Sequence, residues 1–308
     1  MSSPAPAPDS ALLAEIADLK ARRGAILLAH NYTRPEVQDL ADFTGDSLEL
    51  ARKAAQVESP VIVFAGVHFM AETAAILNPG KTVLMPDASA GCPMADTISA
   101  AQLRDFQAAH PGAATICYVN STAEVKALSD CCCTSGNAVD IVRRYEGREV
   151  LFVPDRHLGS VVAEALGRDL VLWPGGCPVH AAILPAAITS LKARHPGAVA
   201  MVHPECPAAV RAVADLVLAT GPMCAAVKSS PATTFIVGTE AGILHRLRKE
   251  NPSKTFLPLE PDVCCADMKK PTLEGIRDAL RDMAPACTVD PAVAAAARRA
   301  IAQMLAWS

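Results

Sequence analysis

Three cysteines recur at nearly even intervals, each a short distance after an apolar run that ends at a proline. Cys92, Cys177 and Cys265 are separated by 85 and 88 residues. Thiolates are ligands for zinc and for iron–sulfur clusters. A [4Fe–4S] cluster normally takes four thiolates, so three would leave one iron open to bind an oxygen or nitrogen atom as a Lewis acid. The spacing predicts one metal centre to which three repeats each contribute a cysteine.

The spacing alone does not identify the metal or the third cysteine ligand. Zinc with three cysteines and one open position is possible, although catalytic zinc more often has histidine or carboxylate ligands. Cys264 competes with its neighbour Cys265 for the third position. The remaining cysteines that we considered are expected to be packing residues, since free cysteine behaves as a small hydrophobe. These are Cys117, Cys224 and Cys287, while the run Cys131–Cys133 is expected to have packing or strand-end roles.

Polar residues also recur in triplets. Aligning Val37, Val125 and Val210 superimposes three blocks, each with an apolar strand-like run, a polar tip and a helix start. A threefold arrangement would bring the tips towards one axis beside the cysteines. The triplets are His30, Tyr118 and His203; Tyr32, Asn120 and Glu205; and the hydroxyls Ser47, Ser135 and Thr220, ten residues after each valine.

The hydroxyl triplet indicates an anion site. We predict Ser47, Ser135 and Thr220 at helix N-termini, where free backbone N–H groups and the positive end of the helix dipole attract anions. Three such groups around one cavity suit a small ligand with several carboxylates or a phosphate. The tips His30, Asn120 and His203 would add hydrogen-bond donors for the same ligand.

Three further side chains are candidates for proton transfer. Glu205 and Tyr32 are the predicted acid–base pair, because a carboxylate and a phenol in a dry cavity can be tuned towards neutral pH. His180 lies three residues after Cys177, directly beyond a Gly-Gly turn. We predict that it assists them or contacts the substrate.

The elements that position these residues alternate between strand and helix. Continuous apolar runs such as 25–29 suit strands of a parallel sheet covered on both faces. The sequence predicts an α/β protein of three homologous α/β/α repeats with parallel sheets about a pseudo-threefold axis. Since ligands bind beyond the carboxyl ends of such strands, the active site is expected at the centre. The predicted units are residues 1–91 with 268–308, residues 92–176, and residues 177–267.

Composition excludes several classes of protein. The 308 residues carry a net charge of −4 with mixed signs, which argues against nucleic-acid binding. No apolar run reaches the roughly 18 residues that span a bilayer. Residues 1–8 lack the basic and apolar regions of a secretory signal, so we expect a loose tail and a cytoplasmic protein with reduced cysteines.

The motifs together resemble the quinolinate synthase A family, from about residue 20 to the C-terminus. Many separate motifs occur in one order, which makes the resemblance specific. They are HNY at 30–32, GDSLELAR at 45–52, GVHFMAETA at 66–74, GCPMAD at 91–96, YVN at 118–120, CTS at 133–135, CPVH at 177–180, HPEC at 203–206, GTEAGILHRL at 238–247 and CADMK at 265–269.

The resemblance implies condensation of iminosuccinate with dihydroxyacetone phosphate to quinolinate. It also implies a three-domain α/β fold, a [4Fe–4S] cluster with Cys265 and not Cys264 as the third ligand, and a functional link to an L-aspartate oxidase that supplies iminosuccinate. One stretch departs from the family pattern Gly-Ser-Thr-Ser and reads Leu218-Ala219-Thr220-Gly221. The implied iminosuccinate contacts are His30, Ser47, Tyr118, Asn120, Ser135, His203, Glu205 and Thr220.

Two other functions fit parts of the pattern. A zinc-dependent aldolase or lyase would use the cysteines with zinc, and metal analysis separates it from an iron–sulfur enzyme. A non-catalytic iron–sulfur redox sensor would have no turnover and no need for the polar triplets.

Overall fold

The computed structural model describes residues 9–259 and 263–308, so the expected tail at residues 1–8 lies outside the described residues. Three parallel four-stranded sheets form the framework, and each has the strand order second–first–third–fourth. Their strands are β1 Ala25–His30, β2 Phe43–Gly45, β3 Val61–Ala65 and β4 Thr82–Leu84; β5 Ala114–Tyr118, β6 Cys131–Cys133, β7 Val150–Val153 and β8 Val171–Leu172; and β9 Val199–Val202, β10 Leu216–Val217, β11 Thr234–Gly238 and β12 Thr255–Pro258. The prediction of an α/β protein with three repeated parallel sheets is confirmed.

Helices connect and cover the strands. Two short 3₁₀ turns, Ala95–Thr97 and Asp267–Lys269, follow the first and last cysteine loops. The helices are α1 Ser10–Arg23, α2 Pro35–Leu40, α3 Ser47–Gln56, α4 His68–Leu77, α5 Ala100–Ala109, α6 Ala123–Ala127, α7 Ala138–Arg143, α8 Arg156–Leu166, α9 Pro178–Ala181, α10 Pro185–Arg194, α11 Ala208–Arg211, α12 Thr220–Ser229, α13 Ile243–Glu250, α14 Leu273–Asp282 and α15 Pro291–Ala306. Within the described ranges, none of them combines the length and apolarity that crossing a bilayer requires.

The third strand of the first sheet shows why the strands are apolar throughout. Every residue of β3 is buried. Val61, Val63 and Ala65 pack in one cluster with residues of α1 and α14. Ile62 and Phe64 point to the other side and pack with residues of α3 and α4. Because side chains alternate between the two faces, a sheet covered on both sides needs an unbroken apolar run.

One aspartate per repeat joins the first two strands of its sheet. Each lies directly before the second strand, and its Oδ2 accepts a hydrogen bond from a backbone N–H of the first strand. This leaves fewer amides unpaired and fixes where the second strand begins. The pairs are Asp42 with Leu27 at 2.7 Å, Asp130 with Thr115 at 2.8 Å and Asp215 with Ala200 at 2.8 Å.

The last two helices pack on different repeats. The helix α14 packs against α1 and β3, so the chain folds back on the first repeat after Cys265, as predicted. The helix α15 packs mainly against α6 and β6, with further contacts to α4. The boundaries of the three units given by the sequence stay a prediction.

Candidate active site

The carboxyl ends of the strands open into one cavity with about 700 Å³ of empty space. All three repeats contribute to its lining. Every site residue assigned from the sequence lines this cavity. The alignment of the three repeats predicted that they would meet, whereas no single motif did. These residues are His30, Tyr32, Ser47, Cys92, Tyr118, Asn120, Ser135, Cys177, His180, His203, Glu205, Thr220 and Cys265.

Two tip histidines are fixed by the same local hydrogen bond. His30 Nδ1 accepts from the backbone N–H of Tyr32 at 3.1 Å, and His203 Nδ1 accepts from the backbone N–H of Glu205 at 3.3 Å. An accepting Nδ1 assigns the proton of a neutral ring to Nε2. Burial is the main cause that lowers the pKa of His30 to about 3 and that of His203 to about 4. Both rings are therefore neutral N–H donors.

A chain of hydrogen bonds connects the two predicted acid–base residues. Tyr32 Oη lies 2.6 Å from Thr239 Oγ1, which lies 2.8 Å from His180 Nε2. On the other side of its ring, His180 Nδ1 lies 2.8 Å from Glu205 Oε2. Tyr118 donates to the second oxygen, Oε1, at 2.6 Å. The chain crosses all three repeats, since Tyr32, Tyr118 and Glu205 come from three different tips.

The surroundings of the acid–base pair differ from the expectation. Burial raises the pKa of Tyr32 well above its ordinary value. Burial alone would also raise the pKa of Glu205, but His203, His180 and the hydrogen bonds from His180 and Tyr118 hold it far below its ordinary range. The predicted tuning of both groups towards neutral pH is therefore wrong. In this state Tyr32 is a protonated donor and Glu205 an ionised acceptor.

The hydroxyl triplet is only partly placed as predicted. Ser47 and Thr220 are the first residues of α3 and α12, as expected. Ser135 is not at a helix N-terminus, because its turn continues to Asn137 and α7 begins at Ala138. The Oγ of Ser135 lies 3.3 Å from His203 Nε2, so it faces the cavity from the turn itself.

The three cysteines enter the cavity from equivalent loops. Burial raises the pKa of Cys92 to about 12 and raises those of Cys177 and Cys265. In each loop the nearby backbone N–H three residues later lowers the pKa of the thiol and so opposes this rise. These donors are Ala95, His180 and Met268. Buried thiols that each face a backbone donor are suited to be metal-bound thiolates.

The other cysteines do not line the cavity. Among the described residues on its wall, the only thiols are Cys92, Cys177 and Cys265. Cys264 is exposed, and Cys131–Cys133 form the buried strand β6. Cys117, Cys224 and Cys287 are buried in the hydrophobic core, as expected. One thiol per repeat and no fourth thiol on the described wall fit a cluster with three cysteine ligands.

A different metal set is also present at this wall. Ligand atoms of Cys177, His180 and Glu205 lie within 4.8 Å of one another. Zinc accepts such a mixed set. However, the 2.8 Å between His180 Nδ1 and Glu205 Oε2 is a hydrogen-bond distance, and Tyr118 already occupies Glu205 Oε1. The carboxylate of Glu205 is therefore already satisfied by His180 and Tyr118.

One polar atom at the cavity has no partner. Asn120 lines the cavity, and its Oδ1 is buried without a hydrogen bond in the structure. A buried acceptor without a donor costs free energy unless a ligand or water supplies the donor. This amide is therefore suited to bind an N–H or O–H of a ligand.

Three residues that contact the assigned site residues were not singled out from the sequence. Thr239, Asp155 and Glu240 are buried, and each contacts an assigned site residue. Thr239 and Glu240 occur within the motif at 238–247, but nothing in their spacing showed what they would contact. Their place directly after a strand was the only signal, and they share it with many turn residues.

The chain matches known proteins over nearly its whole length. Residues 14–306 match the family model described as quinolinate synthetase A protein. A protein of Dehalococcoides mccartyi named quinolinate synthase is 53% identical over 291 residues, covering 94% of this chain and 96% of its own. One of Methanoregula boonei with the same name is 53% identical over 299 residues, 97% of this chain and 99% of its own. A quinolinate synthase of Geobacter metallireducens is 50% identical over 292 residues, 95% and 96%.

Proposed function

The chain belongs to the quinolinate synthetase A family, and on that premise we propose that it condenses iminosuccinate with dihydroxyacetone phosphate to quinolinate. The reaction releases phosphate and two waters, leaves the overall oxidation state unchanged and serves de novo NAD biosynthesis. One observation carries the proposal. A cysteine from each repeat and the polar tips of all three repeats meet at a single cavity.

Cys92, Cys177 and Cys265 would hold a [4Fe–4S] cluster. With three protein ligands the cluster supplies an open iron, which acts as a Lewis acid. The zinc alternative would instead use Cys177, His180 and Glu205. We favour the cluster because it uses all three repeat-equivalent thiols and leaves the hydrogen bonds of Glu205 intact.

The remaining wall is suited to two dianionic substrates. Ser47 and Thr220 offer hydroxyls at the starts of α3 and α12, where the positive end of the helix dipole favours a carboxylate or phosphate. His30 and His203 offer neutral N–H donors. Asn120 Oδ1 is placed to accept the imine N–H of iminosuccinate, which would satisfy its missing hydrogen bond.

Tyr32, Glu205 and His180 are the proposed proton-transfer groups. Tyr32 carries its proton on Oη and can donate it to a developing anion, while ionised Glu205 can accept one. Thr239 holds Tyr32 and His180 in one hydrogen-bonded chain, so the phenol and the imidazole keep a fixed relation. Positioning of this kind lowers the entropy cost of the bimolecular condensation.

The test is anaerobic purification followed by an assay for quinolinate. We expect iron and sulfide near four each per chain and quinolinate only when both substrates are present. Mixtures that lack one substrate are the control. Protein with a full cluster that forms no quinolinate would contradict the proposed reaction. Zinc without sulfide would favour the aldolase or lyase, and a cluster without any turnover would favour the redox sensor.

A partner and a compartment follow from this chemistry. Iminosuccinate is an unstable imine, so an L-aspartate oxidase that forms it is the proposed supplier. The free thiols of Cys92, Cys177 and Cys265 agree with a reducing cytoplasm, which we propose as the location.

A further inference from the structure

The three cysteine loops are attached to their sheets by one repeated backbone hydrogen bond. In each repeat, a backbone N–H in the turn or helix start that follows the third strand donates to the carbonyl two residues before the cysteine. The bonds are His68 to Ala90 at 2.8 Å, Arg156 to Gly175 at 3.0 Å and Ala241 to Val263 at 2.8 Å. The loops thus leave their sheets in the same way, and differences among them must come from side chains.

The side chain directly before each donor differs between repeats. These positions are Val67, Asp155 and Glu240. Asp155 Oδ2 accepts from the backbone N–H of Cys177 at 3.3 Å, and Glu240 Oε1 accepts from that of Cys265 at 3.1 Å. Val67 has no polar atom, so the loop of Cys92 lacks this side-chain acceptor.

Both carboxylates use their second oxygen as well. Asp155 Oδ1 accepts from Leu158 N at 2.7 Å, and Glu240 Oε2 accepts from Gly242 N at 2.7 Å. Each carboxylate therefore bridges the backbone N–H of a cysteine and a backbone N–H of the segment that follows the third strand. Both are fully buried, so water does not compete for these bonds. Accepting hydrogen bonds from two backbone N–H groups in this way requires two acceptor atoms. A carboxylate has two acceptor oxygens, whereas a carboxamide has only one.

We propose that Asp155 and Glu240 are positioning residues for the metal centre, which hold the loops of Cys177 and Cys265 so that both sulfurs face the cavity. The amide of Cys92 has no equivalent carboxylate acceptor, although the neighbouring Gly91 N donates to Asp267 Oδ1 at 3.2 Å. This inference rests on the cluster of the proposed function, but it assigns two residues that act through the cysteine amides and not on the substrate.

The first test measures how firmly the cluster is held. Asp155→Asn and Glu240→Gln replace one acceptor by an N–H₂ donor that opposes a backbone N–H. We expect both variants, reconstituted anaerobically, to lose iron to a chelator at least about fivefold faster than the wild type, followed by the loss of visible absorbance. The matched control is Glu72→Gln, a buried carboxylate that accepts from the backbone N–H of Ala123 at 3.1 Å instead of from that of a cysteine. Iron loss at the wild-type rate in both variants would overturn the proposal.

The second test needs no substitution at either carboxylate. In the cluster-free wild type labelled with ¹⁵N-cysteine, we expect the amides of Cys177 and Cys265 to exchange with solvent at least about tenfold more slowly than that of Cys92. Hydrogen-bonded amides exchange only when the bond opens. Equal exchange at the three amides would contradict the proposal even if the variants failed to fold.

The outcomes separate this inference from the proposed function. A wild type that holds no iron and sulfide would overturn both the cluster and the positioning role. A wild type with a full cluster but no quinolinate would overturn the reaction alone, and faster iron loss in the two variants would still support the positioning role.

Discussion

The repeats are alike where the first two strands of each sheet are joined, and they differ where the strands end in the cavity. Asp42, Asp130 and Asp215 keep one residue type and one hydrogen bond in all three repeats. At the cavity, equivalent positions carry three different side chains, Tyr32, Asn120 and Glu205.

The difference follows from what each end must do. Every sheet needs the same restraint on its second strand, so three identical aspartates serve equally well. The proposed substrates are asymmetric, so they would need different side chains at the three tips. The cysteines are alike although they lie at the cavity, which agrees with a metal centre that uses equivalent ligands from each repeat.

The strongest test of this contrast removes one cysteine. We expect Cys177→Ala to give colourless protein without the cluster and with synthase activity reduced at least about 10³-fold, since the open iron would be lost. Absorbance, iron, sulfide and quinolinate are the measurements. Cys224→Ala, at a buried cysteine away from the cavity, should keep colour and activity. An active, cluster-free Cys177→Ala protein would end the Lewis-acid proposal.

Thr239 allows a test of the hydrogen-bonded chain itself. Thr239→Val keeps the shape and removes the hydroxyl, so we expect kcat to fall about 10²-fold with little change in KM, because Tyr32 and His180 lose their common partner. Thr239→Ser keeps the hydroxyl and should remain within about threefold of the wild type. If the serine variant lost as much activity as the valine variant, packing and not the hydroxyl would explain the position.

A substitution at Asn120 distinguishes an effect on substrate binding from an effect on stability. Its unpaired Oδ1 costs free energy in the free protein, so Asn120→Ala should leave Tm unchanged or slightly raised. The same change should raise the KM for iminosuccinate about tenfold, since a net hydrogen bond contributes on the order of 1 kcal/mol. Thermal unfolding and initial rates measure the two effects. A lowered Tm with an unchanged KM would mean that the amide serves the fold.

The three aspartates should give the smallest effects. We expect Asp42→Asn, Asp130→Asn and Asp215→Asn each to reduce the free energy of unfolding by about 0.5–1.5 kcal/mol, measured in urea, with kcat unchanged. Clearly unequal reductions in the free energy of unfolding, or a loss of kcat, would contradict the contrast between the strand junctions and the cavity.

The effect at Asp215 should depend on pH. Burial alone would raise its pKa, but the hydrogen bonds from Lys192 and from Ala200 N lower it below the ordinary 3.8. A carboxyl whose pKa is lowered on folding contributes its stability above the unfolded pKa and loses it as the pH falls through the folded value. The difference between the wild type and Asp215→Asn should therefore shrink below about pH 4.

Much of the framework could be predicted from the sequence because it depends on local patterns. The run at 61–65 gave β3, and Gly24 ended α1 in the left-handed conformation expected of a helix-terminal glycine. The packing partner of α15 could not be predicted, because an amphipathic pattern shows that a face is buried but not against which repeat.

The site could be predicted where repetition showed it and not where it depended on contacts between repeats. The equivalent spacing in the three repeats predicted that the polar tips and the three cysteines meet at one cavity. The pKa of Glu205 depends on His203 of its own loop and on His180 of another loop, and the contacts of Thr239 and Asp155 depend on how two loops approach each other. The start of α7 was misplaced because this helix begins three residues after Ser135, whereas α3 and α12 begin at the equivalent hydroxyls Ser47 and Thr220.

The turns that carry Ser47 and Thr220 also touch each other directly. Gly221 N donates to Asp46 Oδ2 at 3.0 Å, and a Cβ at Gly221 would lie 2.5 Å from that oxygen. Asp46 cannot swing away freely, because its other oxygen caps α3 through Leu48 N and Glu49 N. The two positions are therefore epistatic. A side chain at 221 would require Asp46 to shift, so substitutions at positions 46 and 221 are expected to have non-additive effects on stability.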